Sequence, residues 1–143
     1  AVCVSANRDL DAYVGHGLNA VSDRYPDIGP MGGIDALLAA CRTAWLLTLP
    51  VDVVDANDCL LRTLAAAGGV GAVAEDDDGL QPLVALYRAD ALRDPLQRAI
   101  VARQYSVQLL QAQLGLQVVR FSGFRFGNLN TPEDLRLVGY ADD

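Results

Sequence analysis

Residues 43–52 read Thr43-Ala44-Trp45-Leu46-Leu47-Thr48-Leu49-Pro50-Val51-Asp52, an apolar run that ends in a turn and a carboxylate. An apolar run without alternation is typical of a strand buried on both faces of a parallel sheet. We therefore expect a buried central strand at 45–49, with Asp52 at its carboxyl end, where open α/β sheets bind ligands. A single carboxylate there suits Mg²⁺, which takes one or two protein carboxylates and fills its remaining positions with water and phosphate oxygens.

Strand and helix patterns alternate along the rest of the chain, without internal repeats. The predicted strands are 1–5, 18–21, 45–49, 70–74, 82–87, 116–121 and a short extended piece at 124–126. The predicted helices are a short one ending near Tyr13, then 32–42, 57–67, 89–102 and 106–115, and one that starts at Thr131. This order predicts an α/β fold with a three-layer, mostly parallel sheet, right-handed crossovers and an antiparallel excursion near 70–87.

The composition indicates one globular domain over 1–143, because 52% of the residues are hydrophobic and 20% are charged. A net charge of -7 argues against nucleic acid as a partner, since binding to the phosphate backbone needs clustered Lys and Arg. No apolar run approaches the roughly 18 residues of a membrane helix, so no membrane association is expected. Cys3, Cys41 and Cys59 are widely spaced and are interpreted as reduced structural thiols, which favours a cytoplasmic protein.

Two further polar features are interpreted as solvated surface. His16 lies between two glycines, as is typical of a loop residue. The acidic run 75–78 could bind a cation, but like charges on one short turn repel each other unless a metal is supplied. A solvated turn that keeps a sheet edge apart is therefore the favoured interpretation.

Polar and small residues follow the first two predicted strands. Ser5 and Asn7 lie at the end of the first strand, and Asp23 lies just after the second. Gly29-Pro30-Met31-Gly32-Gly33 precedes a helix, whose free N–H groups could face an anion that the small residues allow to approach. The simpler alternatives are that Ser5 and Asn7 are turn and cap residues, that Asp23 is a solvated loop acid, and that 29–33 is a plain turn.

Asn128 and Asn130 are two residues apart, so they lie on the same side of an extended segment. Thr131-Pro132-Glu133-Asp134 follows as a helix start, with Thr as the N-cap, Pro at N1 and acids in the first turn. The simpler alternative is an Asx turn that leads into the cap, which explains Asn130 better than Asn128.

Four stretches of the chain resemble the molybdenum cofactor guanylyltransferase family, in the family's order and approximate spacing. They are Val2-Cys3-Val4-Ser5-Ala6-Asn7-Arg8, Asp23 through Gly33, Leu49-Pro50-Val51-Asp52, and Gln81-Pro82 together with Asn128 to Leu135. The resemblance covers nearly the whole chain, and its last motif is the most specific. It implies a Rossmann-like nucleotidyltransferase fold and the transfer of GMP from GTP to molybdopterin, with release of pyrophosphate and assistance from Mg²⁺.

The resemblance also implies roles for individual residues. Asp52 would be the catalytic residue and the metal ligand. Residues implied on the nucleotide side are Ser5, Asn7, Asp23, Gly29, Pro30, Gly32 and Gly33. Residues implied on the molybdopterin side are Gln81, Pro82, Asn128 and Asn130. Molybdoenzymes and other cofactor-biosynthesis proteins are the further partners that the resemblance implies.

The chain departs from the family pattern in three places. Ser5 stands where the family has Asn, which weakens an expected base contact because a hydroxyl offers fewer hydrogen bonds than an amide. Val54 stands where the family has Pro, which puts the local turn in doubt. The family's first strand and glycine-rich phosphate loop ending in Lys have no counterpart, and the chain contains no lysine. We therefore expect a fragment of one domain that is weakly active or inactive alone.

Nucleotidyl transfer needs an anionic phosphate as attacking group, in-line geometry and positive charge, and it needs no general base. A chain with a single His and no Ser-His-Asp pattern can therefore still be an enzyme. One alternative is cytidylyl transfer to the same pterin, or nucleotidyl transfer to a sugar phosphate. Another is a non-catalytic module that binds molybdopterin, a nucleotide or a partner enzyme. Comparison of GTP with CTP separates the enzymatic alternatives. The coding region before Ala1 would show whether glycine-rich residues ending in Lys precede it, which separates an enzyme from a non-catalytic module.

Overall fold

The structure is a computed structural model that describes residues 2–51, 57–123 and 125–126. Its elements, in chain order, are β1 Cys3–Ser5, α1 Leu10–Gly15, β2 Asn19–Val21, α2 Pro30–Ala40, β3 Trp45–Thr48, α3 Asp58–Ala66, β4 Gly71–Asp76, β5 Gly79–Arg88, α4 Ala89–Val101, α5 Val107–Leu114 and β6 Gln117–Arg120. The chain divides into two compact units, Ala1–Leu46 with Tyr87–Gly115, and Leu47–Leu86 with Leu116–Asp143. None of the helices in these described ranges is long and apolar enough to cross a membrane.

The first unit is built around a parallel pair of short strands. β1 and β2 pair in the register Cys3↔Asn19 and Ser5↔Val21, and α1 forms the crossover between them. Helix α2 contacts β1 and buries Met31, Ile34 and Leu38. It begins at Pro30, two residues before the predicted start, because proline has no N–H to satisfy and its fixed φ suits the first helical position.

The two remaining helices of the first unit, α4 and α5, follow their local sequence signals. The Ser106 hydroxyl accepts a hydrogen bond from the Leu109 N–H, and Gly115 ends α5 in the left-handed conformation at φ 74°. Both residues lie at the bounds of the predicted helix 106–115. Pro95 lies inside α4, which continues to Val101 although proline contributes no N–H to the helix. Burial of Leu92 and Leu96 stabilises α4 beyond its local preference.

Tyr87, at the end of β5, is a buried polar residue of the first unit. Its ring is 0% exposed, and its hydroxyl accepts a hydrogen bond of 2.7 Å from Gln111 Nε2. Burial raises the pKa of Tyr87 to about 12, against the opposing effect of the Gln111 hydrogen bond. Tyr87 is therefore neutral at physiological pH and links β5 to α5.

Replacement of Tyr87 by Phe is expected to lower the free energy of unfolding by about 1 kcal/mol at pH 7, because the hydrogen bond from Gln111 is lost. The folded protein holds the Tyr87 proton more tightly than the unfolded chain, so wild-type stability is fully present below pH ~10 and falls as the pH rises towards 12. Tyr87→Phe removes this alkaline decline. Urea titrations from pH 7 to pH 11 measure both effects, with Tyr105→Phe at a partly exposed tyrosine as the control. An identical alkaline slope in Tyr87→Phe and wild type would contradict the assignment.

The four-stranded sheet has the order β3-β5-β4-β6, and the boundaries between the two units fall inside β3 and β5. β4 and β6 pair in parallel, with Ala72 opposite Gln117. Asp77 and Asp78 alone connect β4 to its neighbour β5, and so short a connection joins antiparallel strands. The four described strands therefore form a mixed sheet, and the antiparallel excursion predicted near 70–87 is this hairpin.

The strand at 45–48 is not central among the described strands. It lies at one end of the order, with β5 as its only described neighbour, and Trp45 and Leu49 are 41% and 38% exposed. The prediction of a central strand buried on both faces was wrong for the described chain. Hydrophobic composition reports the tendency of a strand to be buried, but it does not specify how many strands pair with it.

The core of the second unit lies between α3 and the sheet. The Asn57 side chain accepts a hydrogen bond from the Leu60 N–H and caps α3, at the predicted start of this helix. The buried cluster consists of Leu60, Leu64, Ala72, Ala74, Val84, Leu86 and Phe126, with Leu47, Ala67, Val119 and Phe121 packed against it. Burial of these apolar side chains is the main stabilising contribution in this unit.

Candidate functional site

Asp23 is the centre of the candidate site in the first unit. Its carboxylate accepts hydrogen bonds from Ser5 Oγ at 3.3 Å and from Asn7 Nδ2 at 3.2 Å. Its main-chain N–H donates in return to Asn7 Oδ1 at 2.8 Å. The structure thus brings together three residues that lie apart in the sequence, at the end of β1 and just after β2.

Two glycines of α2 border this cluster. A Cβ on Gly32 would lie 2.8 Å from Asp23 Oδ2 and 3.1 Å from the Tyr25 carbonyl oxygen. A Cβ on Gly33 would lie 3.1 Å from Ser5 Oγ. The missing side chains therefore make the room that the Ser5–Asn7–Asp23 cluster occupies, and this close approach explains why these positions are glycine.

The start of α2 offers main-chain donors next to the same cluster. Gly29 is the N-cap residue at φ 72°, a conformation that favours glycine, and Pro30 occupies the first turn. No side chain caps this helix end, and the Gly29 carbonyl accepts the Gly32 N–H at 3.1 Å. The positive end of the helix dipole thus lies within the segment 29–33 that was predicted to face an anion.

An ion pair between the half-exposed Arg24 and the buried Asp35 holds the loop that carries Asp23. Arg24 donates to both carboxylate oxygens of Asp35, Nε at 2.9 Å and Nη2 at 2.8 Å, and Asp35 is only 3% exposed. The hydrogen bonds and charge of Asp35 raise the pKa of Arg24. Sequence analysis missed this pair, although Asp35 lies at helical spacing from the buried Met31 and Leu38, and an inward-facing acid needs a partner.

Gln81 and Pro82 lie in β5, in the second unit. The Gln81 side chain donates from Nε2 to Asp76 Oδ1 at 3.1 Å. Asp76 belongs to β4 and is only 1% exposed, so the interpretation of 75–78 as a wholly solvated turn was wrong at this residue. The signal was its period-two spacing from Ala72 and Ala74, which face the core.

Three predicted site residues, Asp52, Asn128 and Asn130, lie outside the described residues, as does Val54. Within the ranges that the structure does describe, no group of three or more His, Cys, Asp or Glu could hold a metal ion. His16 is exposed, in agreement with its interpretation as a loop residue. Cys3, Cys41 and Cys59 are free thiols.

Comparison with known proteins gives consistent similarities. The profile of the family described as "MobA-like NTP transferase domain" matches residues 1–117. The molybdenum cofactor guanylyltransferase of Vibrio campbellii is 35% identical over 149 residues, which cover 99% of this chain and 75% of that protein. The enzyme of the same name from Polynucleobacter asymbioticus is 31% identical over 150 residues, which cover 98% and 75%.

Two solved structures share the fold. A crystal structure of an Aquifex aeolicus protein gives a TM-score of 0.72 at 20% identity and covers 96% of this chain and 68% of that chain. Molybdopterin-guanine dinucleotide biosynthesis protein A from Archaeoglobus fulgidus gives a TM-score of 0.64 at 22% identity, with 95% and 75% covered. These similarities confirm the predicted α/β class and are consistent with a nucleotidyltransferase fold.

Proposed function

The chain belongs to the MobA-like NTP transferase domain family, and from this premise we propose that it transfers GMP from GTP to molybdopterin and releases pyrophosphate. The observation that carries this proposal is the Asp23 carboxylate, held by Ser5 and Asn7 against Gly32. Relatives named molybdenum cofactor guanylyltransferase that match 98–99% of the chain support the proposal.

Asp23 is proposed to recognise the base. Its two oxygens accept one described side-chain hydrogen bond each, and a carboxylate has acceptor sites for more. The guanine edge presents two neighbouring N–H donors, N1 and N2, which match a paired acceptor. Cytosine presents acceptors at N3 and O2 on its corresponding edge. These two acceptors would repel the carboxylate of Asp23, because neither has a proton to donate. Ser5 and Asn7 then orient Asp23, and the side chain of Asn7 supplies an exposed polar group beside it.

The start of α2 is proposed to face the nucleotide's anionic groups. Gly29, Gly32 and Gly33 carry no side chain at the helix start, where Gly29 and Pro30 are exposed, Gly33 is partly exposed and Gly32 is buried. Free N–H groups at a helix start are donors that anions accept, and the helix dipole favours negative charge there. The segment 29–33 thus supports one end of the nucleotide while Asp23 contacts the base.

Asp52 is proposed to hold Mg²⁺ beside the triphosphate. Carboxylate oxygens are hard ligands of the type that Mg²⁺ takes together with phosphate oxygens and water. When bound, the ion would offset negative charge on the phosphate oxygens of the nucleotide. The incoming molybdopterin phosphate is already anionic, so the chain needs no base, and its residues act by positioning the two substrates in line.

Molybdopterin is proposed to contact Gln81, Pro82, Asn128 and Asn130. The amide nitrogen of Gln81 already donates to Asp76, so we assign its amide oxygen as the group that contacts molybdopterin. We also propose that the protein forms a single nucleotidyltransferase domain with three layers and a mostly parallel sheet, and that it is located in the cytoplasm. Molybdoenzymes and other cofactor-biosynthesis proteins are its proposed further partners.

The decisive experiment is an assay of the protein with molybdopterin, Mg²⁺ and either GTP or CTP. The expected result is formation of the guanine dinucleotide and pyrophosphate with GTP, and thermal stabilisation by GTP but not by CTP. Faster turnover with CTP would instead support cytidylyl transfer, and nucleotide binding without turnover would support a non-catalytic module.

Replacement of Asp23 by Asn is expected to raise the KM for GTP about tenfold, because an amide pairs with the two guanine donors through one oxygen only. The preference for GTP over CTP should fall by a similar factor, and kcat should change less than KM. Steady-state kinetics with both nucleotides measure this result, and Asp27→Asn, at an exposed acid in the same loop, serves as the control. An unchanged preference for GTP in Asp23→Asn would contradict the base-recognition role.

A further inference from the structure

Asp35 is a buried acid in the second turn of α2 that the proposed function does not use. It is only 3% exposed and lies on the helix between the buried Met31 and Leu38. A carboxylate that leaves water is strongly destabilising unless a positive partner and hydrogen bonds compensate it. Arg24 supplies both, since Nε donates to Oδ2 at 2.9 Å and Nη2 donates to Oδ1 at 2.8 Å.

Arg24 reaches this acid from the surface. Its side chain is 55% exposed whereas that of Asp35 is 4% exposed, so the pair lies where the loop meets α2. Two parallel hydrogen bonds to one carboxylate fix the direction of the guanidinium as well as its distance. The guanidinium also lies over the Tyr25 ring, with Cζ 5.8 Å from the ring centre. The loop is therefore held to the helix in a defined orientation at residue 24.

One face of α2 receives consecutive residues of this loop. Gly32 and Asp35 are three positions apart, so they lie on the same face of the helix. A Cβ on Gly32 would lie 2.8 Å from Asp23 Oδ2. Asp35 binds Arg24, the residue that follows Asp23. The ion pair thus sets how closely Asp23 approaches the helix.

The side-chain contacts of the Asp23 carboxylate are weaker than this ion pair. Ser5 and Asn7 donate to it at 3.3 Å and 3.2 Å, and water competes for these bonds because Asn7 is exposed. Recognition of a base by two parallel hydrogen bonds needs a carboxylate that is held within about 0.5 Å and about 10–20° of its productive position. The doubly hydrogen-bonded ion pair next to Asp23 supplies this restraint.

We propose that Arg24 and Asp35 are positioning residues for guanine recognition, which fix the loop so that the Asp23 carboxylate meets the base in the geometry of two hydrogen bonds. This inference rests on the proposed function, because it takes Asp23 as the contact to the base. It assigns neither Arg24 nor Asp35 a contact with the nucleotide. Since α2 also carries the segment 29–33, the ion pair joins the two parts of the proposed nucleotide site.

A double replacement, Arg24→Ala with Asp35→Leu, separates positioning from stability. It removes both charges together, so no buried acid is left without a partner, and leucine suits the apolar surroundings of position 35. Replacement of a buried ion pair by apolar side chains is often neutral or stabilising, so the variant should fold. The expected result is a KM for GTP raised about tenfold and a preference for GTP over CTP lowered by a similar factor, with kcat and the KM for molybdopterin within about twofold of wild type.

Arg24→Lys is a second variant that keeps the positive charge beside Asp35. Lysine offers a point charge in place of the paired donors of the guanidinium, so the orientation of the loop is less well fixed. This variant should raise the KM for GTP about threefold and lower the preference for GTP, because one hydrogen bond of the pair is lost. Thermal unfolding should show that it folds.

The matched control is Asp90→Asn, which breaks the exposed Arg88–Asp90 ion pair of 2.9 Å at the start of α4. It should leave both KM values and the nucleotide preference unchanged. Hydrogen exchange gives a readout that does not depend on activity. The Asp23 N–H, which donates to Asn7 Oδ1, should exchange faster in the double variant but not in Asp90→Asn.

An ion pair that served only stability would give a different pattern. A folded double variant would then keep the wild-type KM for GTP and the wild-type preference over CTP, and this outcome would overturn the positioning role alone. Should the double variant fail to fold, an unchanged KM for GTP in Arg24→Lys would have the same meaning. Absence of GMP transfer by the wild type would overturn the proposed function and, with it, this inference.

Discussion

Replacement of Asp52 by Ala is expected to reduce kcat by roughly a thousandfold or more while the fold is retained. The reason is that Asp52 is the single carboxylate proposed to hold Mg²⁺ beside the triphosphate. Without it, the charge that develops on the phosphate oxygens in the transition state is less well compensated. Turnover of GTP and molybdopterin at saturating Mg²⁺ measures the effect, and thermal unfolding checks the fold.

Asp58→Asn is the control for Asp52, because it removes an exposed acid from the first turn of α3. It should keep nearly all activity and lose only a few tenths of a kcal/mol in stability, through a weaker interaction with the helix dipole. Loss of GTP-dependent Mg²⁺ binding in Asp52→Ala, but not in Asp58→Asn, is also expected. Turnover near the wild-type value in Asp52→Ala would dismiss the metal assignment.

Replacement of Gly32 by Ala is expected to raise the KM for GTP by about tenfold or more. The added Cβ would lie 2.8 Å from Asp23 Oδ2 and 3.1 Å from the Tyr25 carbonyl oxygen, so the carboxylate must move. Its movement breaks the hydrogen bonds from Ser5 and Asn7 that hold Asp23 in place. Each lost hydrogen bond costs about 1 kcal/mol, and two such losses exceed a tenfold change in affinity.

Substitutions at two other glycines serve as controls for Gly32→Ala. Gly33→Ala should have a smaller effect, because its Cβ meets the Ser5 hydroxyl at 3.1 Å rather than the carboxylate. Gly15→Ala should leave the KM for GTP unchanged and stabilise α1, since nothing lies within 4 Å of its Cβ and alanine favours helix. Equal KM values for Gly32→Ala and Gly15→Ala would show that the cluster around Asp23 does not bind the nucleotide.

Most element positions followed from short-range signals in the sequence. Asn57 and Ser106 cap α3 and α5 because their side-chain oxygens reach an N–H three residues away. Gly115 ends α5 because glycine adopts the left-handed conformation at little cost. Such interactions involve neighbours in the chain, so the sequence contains all the information needed to predict them.

The candidate site was only partly predictable. Ser5, Asn7 and Asp23 were recognised from motif order, but their mutual hydrogen bonds depend on the parallel pairing of β1 with β2. Asp35 and Asp76 were missed, because an acid in a sequence gives no sign of the partner that makes its burial favourable. For Asp76 that partner is the main chain of Phe126, and nothing near residue 76 in the sequence indicates that these two residues meet.

The amino-acid sequence by itself determined the alternation of helices and strands, their caps and the family to which the chain belongs, because these depend on local conformational preferences and on motif order. Tertiary structure alone decided that the strand at 45–48 pairs with β5 at one end of the described order, and that Asp76 is buried with a hydrogen bond from the Phe126 N–H. Both depend on contacts between residues far apart in the chain. The energies of such contacts come from burial and hydrogen bonding in the folded state rather than from local preference.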